Sequence, residues 1–172
     1  MTELEKLQAG LPYDVNDPEV NARKLSAATG CARLEAIPVT DAAAKDAAIR
    51  DLFGSAGKNP NILPGFYCDN GKNIFVGDEF LANYRVTILD IAPVRMGNNV
   101  WIGPGSLLST VNHPLSRDGR RKHLGIAKPI VIGDDVWAET FTRQPEPLTA
   151  EEKKEYLSHV TGVCLGSDAF FP

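Results

Sequence analysis

A six-residue unit recurs in this chain, and no other feature limits its fold as severely. Apolar residues stand at Met96, Ile102 and Leu108, and Gly97 and Gly103 follow the first two. The same signature returns in Ile132-Gly133-Asp134-Asp135-Val136-Trp137 and occurs earlier in Val76-Gly77-Asp78-Glu79-Phe80-Leu81. This period fits neither an α-helix nor an ordinary strand ladder. It marks a solenoid in which one short strand and its turn make one flat face of a coil. The apolar residue then points into the coil, and the Gly, Asn or Asp after it serves a tight corner where positive φ is inexpensive.

The chain before the repeats reads differently. Thr2 with Glu5 is a capping-box pattern, with Gly10 as the stop. Asp17-Pro18-Glu19 opens a second helix, expected to end near Thr29 with Gly30 behind it. Thr40 or Asp41 opens a third, the alanine-rich run from Ala42 to Phe53, closed by Gly54. Residues 1–58 are therefore expected to form an N-terminal helical segment. From Asn59 onward turn residues bracket short β-prone pieces, so 59–137 reads as the coils of a parallel β-helix. One insertion, 114–128, breaks the rhythm; its Arg117, Arg120, Arg121, Lys122 and His123 mark a loop thrown out from the stack. After Trp137 the repeat stops. Residues 138–172 read as an atypical tail with a short helix from Thr149 to Leu157.

Composition narrows the function classes. The 172 residues fit one medium domain, and the net charge of −4 does not describe a nucleic-acid surface. Cys31, Cys68 and Cys164 are odd in number and far apart, which is neither a disulfide framework nor a metal-binding CxxC pattern. No run spans a bilayer, and the N-terminus lacks the order of a secretory signal, so a cytoplasmic protein with reduced thiols is expected.

Several segments together resemble a known family. They are Tyr13-Asp14-Val15-Asn16-Asp17-Pro18-Glu19, Asn73-Ile74-Phe75-Val76-Gly77, Leu81-Ala82-Asn83-Tyr84, Ile88-Leu89-Asp90, Val100-Trp101-Ile102-Gly103-Pro104, Asn112-His113-Pro114 and Pro129 to Trp137. In this order the chain, from residue 1 to about 137, resembles the maltose and galactoside O-acetyltransferases among the hexapeptide-repeat acyltransferases. The resemblance implies a left-handed parallel β-helix, mainly β, assembled as a homotrimer with active sites between subunits. It implies acetyl-CoA as donor, a sugar hydroxyl as acceptor, and no metal.

Acetyl transfer from a thioester to a hydroxyl needs a base for the hydroxyl proton and donors for the developing oxyanion. The resemblance places His113 at the family's catalytic position; as a bare sequence feature it also reads as a turn histidine. The resemblance places Asn83 and Asp90 at the acceptor site, where both are otherwise routine corner residues. Asp14 is the candidate to close over the acceptor, with Asp17 its competitor. Cys68 stands where relatives carry a small hydroxyl residue; a plain core thiol is the alternative. Trp137 is implied to face CoA, with packing as its default role, and Thr140 falls where a backbone N–H holds the acetyl oxygen. The basic loop 117–123 is read either as a contact for CoA phosphates or as an ordinary solvated surface.

The family's further coils, which build much of the CoA groove, are not legible after Trp137: Ala138-Glu139-Thr140 replaces the expected step. A second reading follows, a truncated and non-catalytic hexapeptide-repeat protein with a lost CoA site. A third, a β-helix metalloenzyme, requires His113, His123 and His159 to converge on one metal.

Overall fold

In the computed structural model, residues 1–138 and 160–161 are described. Helix α1 (Glu3–Gln8) has the expected capping box: Glu5 N–H donates to the Thr2 hydroxyl at 3.1 Å, and Thr2 N–H to the Glu5 carboxylate at 2.7 Å. A short strand, β1 (Tyr13–Asp14), precedes α2 (Pro18–Ala36), whose Asp17 cap accepts from Glu19 and Val20 N–H. Helix α2 does not stop at Thr29. Gly30 lies inside it because a Cβ there would come within 2.8 Å of Leu52 Cδ1 in α3 (Ala42–Leu52). That glycine lets two helices touch; it does not end one. Asp41 caps α3 through the Ala44 N–H.

The coils form a triangular prism whose three faces are each built of parallel strands. The first holds β2 (Ser55–Ala56), β5 (Ile74–Val76), β8 (Val94–Met96) and β13 (Ile130–Ile132). The second holds β3 (Asn61–Ile62), β6 (Leu81–Ala82), β9 (Trp101–Ile102) and β14 (Trp137–Ala138). The third holds β4 (Tyr67–Cys68), β7 (Thr87–Leu89) and β10 (Leu107–Ser109). The fold is mainly β, a left-handed parallel β-helix.

Inward residues keep the six-residue spacing along one coil: Val76, Ala82, Ile88, then Met96, Ile102, Leu108, all buried. Partners on stacked strands are twenty residues apart, as in Phe75 with Arg95 and Leu81 with Trp101. Two extra residues therefore enter at the corner between the third and first faces. At another corner Glu79, Asn99 and Asp135 stack with φ of 58°, 54° and 57°. Beside them Asp78 N–H donates to Asn98 Oδ1, and Asn98 N–H to Asp134 Oδ1. The corner amides of each coil are thus satisfied by a side chain of the next.

The helices close one end of the prism. Cys31, Leu34, Ile49, Leu52 and Phe53 share one core with the coil interior, and the Phe53 ring lies 5.8 Å from Phe66 and 6.1 Å from Phe80. At the other end, β15 (Val160–Thr161) pairs antiparallel with β13. The helix expected over 149–157 and Thr140 lie outside the described residues.

The insertion is built rather than loose. Strands β11 (Val111–Asn112) and β12 (Leu124–Ala127) form an antiparallel pair flanking the short helix α4 (Arg117–Arg121). Strand β1 adds to the far side of β12, placing Tyr13 opposite Gly125 and Asp14 opposite Leu124. Arg95 pairs with Val131, thirty-six residues on, so the excursion adds sixteen residues and returns in register.

Candidate active site

His113 follows β11 at the root of the excursion, and its side chain is exposed. Its backbone N–H donates to Asn112 Oδ1 at 2.7 Å, and its Nδ1 lies 3.0 Å from the carbonyl oxygen of Leu124. A carbonyl only accepts, so this contact places the proton of the neutral ring on Nδ1. Nε2 is left with its lone pair outward, the arrangement a general base requires. Leu124 is itself held in β12 between two strands, so the imidazole leans on a fixed backbone.

Asp14 sits across from Leu124 in the same small sheet. Its N–H donates to Glu3 Oε2 at 2.7 Å, and its carboxylate accepts from Asn16 N–H at 2.9 Å. Glu3 is held below the usual carboxylate range by its bond to Lys6 and by that Asp14 N–H. Asp17 is occupied as the cap of α2. The fold therefore gathers His113 and Asp14 around Leu124. A backbone carbonyl leaves no mark in a sequence; the sole sign of this hairpin was the excursion's return to the repeat at Pro129.

Cys68 and Asp90 form a second group beside the third face. Asp90 is 0% exposed, and its Oδ1 accepts from Asp69 N–H at 3.0 Å and Asn70 N–H at 2.8 Å. Its Oδ2 has no partner among the described residues. Burial pushes this carboxyl up to about 6, against the pull of the backbone amides. A carboxyl enclosed in this way does not meet a sugar hydroxyl in the isolated chain; it ties the Asp69–Asn70 turn. Cys68 is half-buried, with its Sγ 3.6 Å from Cys31 Sγ.

Asn83 and Trp137 belong to the second face. Asn83 Oδ1 accepts from Tyr84 N–H at 2.8 Å. Trp137 is 60% exposed and lies in register on Trp101, itself 48% exposed, so two indoles form an apolar ledge. Asn83 stands at one edge of the third face and His113 beyond the other. The intervening strand β7 is three residues long, which sets them roughly 10 Å apart or more. No hydrogen bond joins His113 to Asn83, Asp14 or Trp137 among the described residues. In the basic loop, Lys122 pairs with Asp118 at 2.7 Å, and Arg120 donates to the Leu115 carbonyl. No three His, Cys, Asp or Glu side chains gather around a metal-sized space among the described residues, and His159 lies outside them.

Comparison with known proteins places this architecture. Residues 6–57 match the maltose acetyltransferase hexapeptide capping motif. A Saccharomyces cerevisiae relative is 38% identical over 135 residues, covering 78% of this chain and 69% of its own. Nodulation protein L of Rhizobium meliloti is 34% identical over 136 residues, covering 79% and 74%. The chain belongs to the maltose/galactoside O-acetyltransferase family. Among solved members of this hexapeptide-repeat family, the maltose O-acetyltransferase from Clostridium difficile 630 superimposes with a TM-score of 0.77 at 31% identity, over 81% of this chain and 74% of that one. A galactoside acetyltransferase in complex with coenzyme A gives 0.76 at 28% identity, over 80% and 68%. The capping motif runs from α1 to β2, the segment that seals the first coil here. No helix among the described residues is long and apolar enough to cross a membrane.

Proposed function

We propose that this chain transfers the acetyl group of acetyl-CoA to a sugar hydroxyl of the maltose, glucose or galactoside type, with His113 as general base. The contact between His113 Nδ1 and the Leu124 carbonyl carries the reading, because it leaves Nε2 basic and directed outward. In the reaction Nε2 takes the hydroxyl proton as the sugar oxygen attacks the thioester carbon. The carbon–sulfur bond then breaks, and the proton passes to the departing thiolate.

The distribution of the other residues supports a site completed between copies. Asn83 and the Trp101–Trp137 ledge lie on a different face from His113, so one chain presents two halves that do not meet. A homotrimer brings the His113 side of one copy to the Asn83 side of its neighbour. Asp14, near Leu124, closes over the acceptor, and Cys68 and Asp90 shape the acceptor side from beneath. The ledge supplies apolar contact for CoA, with Thr140 at the acetyl oxygen. The galactoside acetyltransferase complexed with coenzyme A supports the choice of donor.

The test is thiol release from acetyl-CoA in the presence of maltose, a glucoside or a galactoside. Release that depends on the sugar supports the proposal, and none with any of the three overturns it. One observation favours the second reading, a non-catalytic relative. The strand next to β13 at the end of the first face is β15, which runs antiparallel where a further coil would run parallel. Calorimetry separates the readings: a chain that has lost the CoA site gives no heat with acetyl-CoA.

A further inference from the structure

We propose that Cys31 and Cys68 form a peroxide-responsive thiol pair that closes to a disulfide and locks α2 to the third face of the prism. The inference does not depend on the acetyl-transfer reading. Three properties of the pair support it.

The first is proximity. Cys31 on α2 and Cys68 at the end of β4 are 37 residues apart in sequence, with their sulfurs 3.6 Å apart. A disulfide requires about 2.05 Å between sulfurs, so closure needs an approach of roughly 1.5 Å, within the range of side-chain rotation.

The second is access. Cys31 is 4% exposed, yet it lines a cleft of about 20 Å³ with Leu34, Glu35, Lys45 and Phe66. A water molecule needs roughly 10–15 Å³ of such space. Hydrogen peroxide is little larger than water and fits; a glutathione-sized oxidant does not.

The third is the state of the sulfurs. The Cys68 thiol hydrogen-bonds to Cys31, which lowers the Cys31 thiol from its ordinary value, while the same contact and burial raise Cys68. One member is thus the better thiolate and the other keeps its proton.

The chemistry balances with a hydroperoxide as oxidant. The Cys31 thiolate attacks one peroxide oxygen; the S–O bond forms, the O–O bond breaks, and hydroxide leaves to become water. The Cys68 sulfur then displaces the hydroxyl from the sulfenic acid. The S–S bond forms, the S–O bond breaks, and the second water carries off the Cys68 proton. Two thiols lose two electrons, and one peroxide becomes two waters.

The experiment uses the full chain carrying Cys164→Ser, reduced, freed of reductant and treated with one equivalent of hydrogen peroxide. Mass spectrometry is expected to show the loss of two hydrogens and a peptide linking Cys31 to Cys68, both reversed by dithiothreitol. The melting temperature is expected to rise on oxidation by roughly 5–10 °C, since the bond closes a loop of nearly forty residues. In a chain that also carries Cys68→Ser, Cys31 should gain a single oxygen as sulfenic acid, read by intact mass spectrometry and lost again on treatment with dithiothreitol. Sulfinic acid in place of the cross-link, or both thiols still free after treatment, overturns the proposal.

Discussion

The Leu124 carbonyl oxygen stands 3.0 Å from Nδ1 of His113, so a backbone group selects the tautomer of the one exposed imidazole at the root of the excursion. Replacing His113 by Ala removes the proposed base and leaves the coils intact. Sugar-dependent kcat is expected to fall by about 10²–10⁴, while the melting temperature stays nearly unchanged because the side chain is exposed. Steady-state kinetics and thermal melting on one preparation check this. Unchanged kcat in His113→Ala would remove the assignment.

Asp90 makes stability depend on pH. Its carboxyl sits at about 6 in the fold against an ordinary 3.8. The folded chain therefore holds this proton more tightly than the unfolded one. The contribution is fully present below about pH 4 and is lost as the pH rises through 6. The difference amounts to roughly 3 kcal/mol between the two limits. Urea unfolding of the native chain and of Asp90→Asn, each at pH 4.5 and pH 7, isolates the effect. The native chain should lose more stability on going to pH 7 than the variant does, and parallel profiles would refute the reading.

Gly77 has no room for a side chain. A Cβ there would lie 2.6 Å from Asn98 Oδ1 and 2.6 Å from the Gly97 carbonyl oxygen of the next coil. The second neighbour is backbone in a stacked turn and does not move aside. Gly77→Ala is expected to cost about 1–3 kcal/mol, read as a lowered denaturation midpoint with an unchanged slope.

Tyr13 gives a prediction of the opposite sign. Its ring is fully buried against Gly125, and its hydroxyl has no partner among the described residues. Burial, with the Asp69 charge second, pushes its ionisation up to about 12. Tyr13→Phe keeps the ring and removes the enclosed polar group. A gain of about 1 kcal/mol is expected in equilibrium unfolding; a loss of that size would show that the hydroxyl is satisfied.

The coil stack was legible because its period is enforced twice, by inward apolar side chains and by corners that require small or positive-φ residues. Val76, Met96 and Ile132 announce one face in this way. Helix starts were equally plain, since Thr2, Asp17 and Asp41 act within a few residues of themselves. The end of α2 was not, because the role of Gly30 depends on Leu52, far along the chain. The same holds for the candidate site. His113 and the ledge tryptophans stood out by type and spacing. The Leu124 carbonyl, the pairing of β1 with β12 and the approach of Cys31 to Cys68 are long-range outcomes that no local pattern encodes. Asp90 reads in the sequence either as an acceptor contact or as a corner residue; that its carboxyl turns inward and holds the Asp69–Asn70 turn is visible only in the fold.

The sixteen-residue excursion leaves the third face after β10 and rejoins the first at β13 without shifting any inward position. Its length is therefore decoupled from the ladder around it. Hairpins of other sizes can be exchanged at this joint while every layer above and below keeps its alignment, which makes the joint a natural place for relatives of this scaffold to diverge in what they accept.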